Sequence, residues 1–150
     1  MAIKRLDEIL KIIFSWEDQL NHFYGPVVQH LKSTRSRKVV ELLKEQQEKT
    51  LEVLKGIDLR EYKNTEYVKS PPDYHSEAVI PHLEITEDSS PDDIFEHILS
   101  YEEKLEEYYT HLREILVYQK DRELLDMLIQ FKLGQIKRIK SYMDHYDLVI

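Results

Sequence analysis

Ile13-Phe14-Ser15-Trp16-Glu17, continuing through Leu20 to Phe23-Tyr24, returns 85 residues later in the same chain. Ile98, Ser100, Glu102, Leu105 and Tyr109 repeat Ile13, Ser15, Glu17, Leu20 and Tyr24 residue for residue. The offset holds without a gap into the next segment, where Val40, Leu43, Leu51 and Leu54 fall on Leu125, Leu128, Ile136 and Ile139. Apolar residues in all these stretches recur at about 100° per residue, the period of an amphipathic helix. Two similar helical hairpins joined by one long connection describe an all-α, antiparallel four-helix bundle, expected here as one domain over residues 1–150.

Working outward, the first hairpin spans 3–57, a crossover 58–89 and the second hairpin 90–147. The first stripe is Leu6, Ile9, Leu10, Ile13, Leu20, Tyr24, Val27, Val28 and Leu31. Pro26 interrupts it and removes a backbone donor, which predicts a kink near Gly25. The second helix, from about Arg37 to Ile57, aligns Val39, Val40, Leu43, Leu51, Leu54 and Ile57. The third opens at Ser90-Pro91-Asp92-Asp93: a serine cap, a proline at the first helical position and carboxylates at the positive end of the helix dipole. Its stripe is Ile94, Phe95, Ile98, Leu99, Leu105, Tyr109, Leu112 and Leu116. The fourth begins near Asp121 and carries Leu125, Leu128, Ile129, Ile136, Ile139, Met143 and Tyr146. Short polar links around Ser33 to Ser36 and Gln119-Lys120 require antiparallel neighbours. The crossover, with Pro71-Pro72 and Pro81, is too long for a tight turn and predicts a short helical or extended piece around Tyr74 to Ile85.

Composition narrows the function classes. Of 150 residues, 21 are basic and 29 acidic, and a net charge of −8 opposes binding to nucleic acid. The densest basic run, Lys32 to Lys38, reads as a solvated inter-helix loop. The lack of cysteine excludes disulfides, thiolate metal sites and a rubredoxin-type iron centre, and it fits a reducing cytoplasm. The N-terminal residues enter an amphipathic pattern at once, without the apolar stretch of a signal peptide. No apolar run approaches the roughly 18 residues of a membrane span.

The doubled run, with a glutamate followed six and seven residues on by Phe23-Tyr24 or Tyr108-Tyr109, resembles the rubrerythrin-type ferritin-like family. The likeness covers the four helices and leaves the crossover aside. It implies a di-iron site built from one glutamate on each of two helices and a Glu-x-x-His on each of the other two. Carried over by position, Glu17 and Glu102 match the single glutamates. The inward pair of the second helix is Gln47 and Thr50, an amide and a hydroxyl in place of glutamate and histidine. That of the fourth is Lys132 and Gln135. Reading Glu45-Gln46-Gln47-Glu48 as a degraded ligand motif fails on periodicity, since Glu45 and Glu48 share the outer face with Glu41 and Glu52.

Charge then argues against metal. Two carboxylates and one ammonium sum to about −1, so two dications would leave about +3 in a low-dielectric bundle. None of the histidines helps: His22, His30, His97, His111 and His145 project off the stripes, and His75 and His82 lie in the crossover. The expected arrangement is a Glu17–Lys132–Glu102 network in which Gln47, Gln135, Thr50 and the hydroxyls of Tyr24 and Tyr109 complete the hydrogen bonding, with no cofactor. The alternatives are a Lys132 that reaches past Leu133 to solvent, and a single hard cation on Glu17, Glu102 and Glu106. The expected function is a non-catalytic interaction or assembly protein of the cytoplasm. The 10 tyrosines, several in the crossover or off the stripes, suit half-buried surfaces, and a two-fold homodimer is the expected assembly. The competing expectation is an iron or manganese oxidoreductase with altered ligands, acting on peroxide or ferrous iron.

Overall fold

The computed structural model describes residues 3–62, 67–69 and 85–149. Four long helices dominate: α1 (Leu6–His30), α2 (Thr34–Lys55), α3 (Pro91–Ile115) and α4 (Gln119–Val149). A 3₁₀ turn follows α2 at Leu59–Tyr62. A small antiparallel ladder pairs β1 (Ile3–Arg5) with β2 (Tyr67–Lys69), setting Lys4 opposite Val68. The fold is thus a helical bundle with one short ladder, and α1 starts at Leu6 rather than at Ile3. Pairing with β2 explains the difference, because extended backbone at 3–5 satisfies its polar groups across the ladder. The piece expected around 74–85, with His75 and His82, lies outside the described residues except for Ile85.

Helix boundaries follow local chemistry. Ser33 Oγ accepts the Ser36 N–H at 3.3 Å, so α2 begins at Thr34, inside the stretch expected to be loop. Ser90 and Asp93 form a reciprocal capping box on α3, at 3.1 and 3.2 Å. Pro26 lies within α1, which runs unbroken to His30. Among the described residues a departure from helical dihedrals inside a helix occurs in α4, at His145 with φ −131° and ψ 22°.

The two helix pairs α1–α2 and α3–α4 make the most extensive contacts, and α2 also packs on α3 and α4. Their stripes converge on a core of Leu6, Ile9, Leu10, Ile13 and Leu20 from α1, with Val39, Val40 and Leu43 from α2. Ile94, Phe95, Ile98, Leu105 and Leu112 of α3 and Leu125, Leu128 and Ile139 of α4 complete it. Burying each such side chain contributes about 1.5–3 kcal/mol. Two aromatic residues that fall outside the simple stripes join this core: Trp16 and, at the equivalent place in the second half, Tyr101. Tyr101 is turned inward and donates its hydroxyl to the Trp16 carbonyl at 3.1 Å. The entry to α3 is fastened to the α1–α2 link, where Ser36 Oγ donates to the Ser89 carbonyl at 2.8 Å and the Lys32 N–H to Glu87 O at 3.1 Å.

Candidate functional site: a lysine between two glutamates

Glu17, Glu102 and Lys132 meet inside the bundle, each at the centre of its helix's apolar face. Their exposures are 0%, 3% and 1%. Lys132 Nζ lies 3.0 and 2.9 Å from the two oxygens of Glu17 and 2.6 Å from Glu102 Oε2. The ammonium therefore does not reach past Leu133 to solvent. Three donors on one nitrogen meet three carboxylate oxygens, a complete set of charge-assisted hydrogen bonds. Burial is the largest influence on Lys132 and favours its neutral form, but the charges of Glu102 and Glu17 outweigh it and hold the ammonium's pKa above the ordinary lysine value. Burial also dominates at Glu17 and raises its pKa; Lys132 pulls it down, and the neighbouring Glu102 charge pushes it up again.

Of the flanking polar residues, Gln47 bonds a member of the triad, while Gln135 and Thr50 bond each other. Gln47, on α2, donates to the main-chain carbonyl of Glu17 at 2.7 Å rather than to its carboxylate. Gln135 and Thr50 bond to each other, and Thr50 also donates to the Gln46 carbonyl at 3.3 Å. They form a second polar layer beside the ionic one. Gln46 belongs to this layer although the sequence reading did not single it out: it is buried and donates to Tyr142 Oη at 2.9 Å. Its place on α2 beside Gln47 was the available signal.

The tyrosines depart from the expectation. Tyr109 Oη is buried without a hydrogen-bond partner, and among the described residues no hydrogen bond joins Tyr24 Oη to the triad. Both rings still feel the carboxylates. Burial, then the charges of Glu102 and Glu17, hold the phenols of Tyr24 and Tyr109 well above the usual tyrosine range, and Tyr101 is raised in the same way. Trp16, next to Glu17 in the chain, is buried, its ring 5.3 Å from that of Tyr108.

The residues do not fit a di-iron group. A fixed ammonium takes up the carboxylate oxygens that a cation would need, and the α2 and α4 positions offer amides and a hydroxyl. Glu106 does not join Glu17 and Glu102: it is half-buried and accepts from Thr110 Oγ1 at 2.7 Å. Among the described residues no three histidine, aspartate or glutamate side chains are grouped to hold a metal ion. His22, His30, His111 and His145 are exposed and His97 is half-buried, while Glu41, Glu45, Glu48 and Glu52 line the outer face of α2. Among the described residues no helix is long and apolar enough to cross a membrane. Set against protein-family models, curated proteins and solved structures, the chain finds no match.

Proposed function

We propose that this chain is a ferritin-like, rubrerythrin-like bundle of two antiparallel hairpins whose di-iron centre has been replaced by a fixed positive side chain, and that it serves as an interaction or assembly protein. One observation carries the reading: Lys132 Nζ lies within 3.0 Å of both central glutamates in a buried site. An ammonium there does the electrostatic work of a cation, holding two carboxylates together in a low-dielectric core, and offers no redox chemistry. The family assignment is supported by the doubled glutamate–tyrosine run and by the convergence of the family-equivalent positions Glu17, Gln47, Thr50, Glu102, Lys132 and Gln135. The working form we infer is a two-fold homodimer in the cytoplasm, with a further protein as partner.

The test is elemental analysis of protein purified without chelator and again after incubation with ferrous iron or manganese. Substoichiometric metal, unchanged in Glu17→Ala, is expected. Iron or manganese at one or two ions per chain, lost in Glu17→Ala, would overturn this reading in favour of a metal-binding bundle. Sedimentation addresses the assembly: a monomer at high concentration removes the dimer.

A further inference from the structure

α2 and α4 touch more sparsely than the helices within each hairpin, and a cavity of about 350 Å³ opens between them. At Gly134 the α4 wall carries no side chain. Lys49 of α2 and Arg138 of α4 both line the cavity. The chain has a net charge of −8, yet neither cation forms an ion pair among the described residues. Arg138 reaches only a neutral atom, donating to Gln46 Oε1 at 3.4 Å. Glu52 is the one carboxylate of the lining, so two cations and one anion give the walls a charge of about +1.

The buried side of the cavity is polar and incompletely bonded. Gln46 there is satisfied: its Nε2 donates to Tyr142 Oη at 2.9 Å and its Oε1 accepts from Arg138. Gln135 is not. It is 7% exposed, and its Oε1 has no hydrogen-bond partner. Its Nε2 donates to Thr50 Oγ1 and, at 3.5 Å, to the Gln46 carbonyl. That carbonyl can only accept, which fixes the amide's orientation and leaves an acceptor unanswered. A buried acceptor without a donor destabilises the fold. Val53 and Phe131, both half-buried, add apolar surface to the same lining.

We propose that this cavity binds a small organic monoanion: a carboxylate with a hydroxyl on the adjacent carbon and an apolar body. A single negative charge neutralises the walls, whereas a dianion would set its excess charge against Glu52. The planar guanidinium of Arg138 matches a carboxylate, and Lys49 adds a second charge from the facing helix. Gln135 lies one turn before Arg138 on the same face of α4, so the donor that Oε1 lacks belongs close to the head group. Val53 and Phe131 receive the apolar remainder. The volume is at the low end of the roughly 300–1,000 Å³ typical of small-molecule clefts, which suits one small acid. The cavity lies outside the ionic triad, so its test is separate from the metal assay.

The probe is mandelate, which has all three features, added to the ¹⁵N-labelled full chain and followed by NMR. Saturable one-to-one binding is expected, with shifts at the side-chain amides of Gln46 and Gln135 and the backbone of Phe131 and Gly134. Mandelate methyl ester lacks the charge and should bind about tenfold more weakly; phenylacetate lacks the hydroxyl and should lose several-fold. Arg138→Gln and Lys49→Gln alter exposed residues, leave the fold intact and should each weaken mandelate, by about tenfold for Arg138. Gln135→Leu should remove the preference for mandelate over phenylacetate. The proposal is overturned by shifts that do not saturate, by an ester that binds as well as the acid, or by unchanged affinity in Arg138→Gln. Inorganic phosphate binding as tightly at the same amides would reveal a general anion patch and overturn it too. If Gln135→Leu does not fold, the wild-type comparison decides: equal binding of mandelate and phenylacetate rules out the hydroxyl contact.

Discussion

The first helices of the two halves, α1 and α3, have kept the same central residues, while the second helices, α2 and α4, have diverged. Glu17 and Glu102 are equivalent; Gln47 faces Lys132 across the same repeat, and Thr50 faces Gln135. One half thus supplies a neutral amide where the other supplies a full charge. Gln47 bonds main chain, whereas Lys132 takes both carboxylates. Two copies of one structural plan can be kept while their charges change, provided the sum at the shared centre stays near balance.

The largest effect should come from breaking that asymmetry. Lys132→Met leaves two buried carboxylates facing each other and should cost about 3–5 kcal/mol in urea unfolding. The loss should shrink as pH falls, because protonation relieves the repulsion. Gln47→Met removes one neutral hydrogen bond and should cost about 1 kcal/mol. Equal losses at the two positions would mean that Lys132 contributes packing rather than charge.

A smaller, pH-dependent effect follows from the rings around the centre. The phenols of Tyr24, Tyr101 and Tyr109 and the ammonium of Lys132 are all raised. The stability they contribute is complete below their ordinary values, 10.0 for tyrosine and 10.5 for lysine, and is lost as pH climbs through the folded values. An ultraviolet titration of the 10 tyrosines should therefore have a late fraction that ionises together with loss of helical circular dichroism. Smooth titration of every tyrosine in the folded state would show that the centre is wetter than described.

These contrasts also mark what the sequence could express. Periodicity alone placed Glu17, Glu102 and Lys132 inward, because three of the four neighbours at i±3 and i±4 are apolar in each case. The Ser90 cap was legible for the same local reason. Trp16 and Tyr101 were not, because large rings at a stripe's edge bury or not according to which helix lies alongside. The hydroxyls of Tyr24 and Tyr109 were likewise ambiguous: an inward ring fixes where the oxygen lies only to within the reach of a partner that the one-dimensional pattern does not place. The β1–β2 ladder depends on two short segments far apart in sequence, neither with a strand signal of its own.

The caps give a third contrast. Ser90 takes part in a two-way box, while Ser33 makes a single bond. Ser90→Ala should cost about 1 kcal/mol, the typical loss for an N-cap, and Ser33→Ala less. Thermal unfolding of the two variants side by side checks the order; a larger loss for Ser33 would place the greater strain at the α1–α2 link.

The smallest effect separates two glycines that each lie where the other half has a side chain. Gly134 is equivalent to Lys49, and Gly25 to Thr110. A Cβ added at either would meet nothing within 4 Å beyond its own helix and chain neighbours. Glycine inside a helix costs roughly 0.5–1 kcal/mol relative to alanine, so Gly134→Ala should stabilise by about that amount. Gly25→Ala should gain little or lose, because Pro26 follows it, and the proline ring disfavours helical backbone for a preceding residue that carries a Cβ. On this argument Gly25 is what lets α1 pass through Pro26 without ending, and urea midpoints for both variants test it. A full gain at Gly25 would mean that the helix accommodates the ring in some other way.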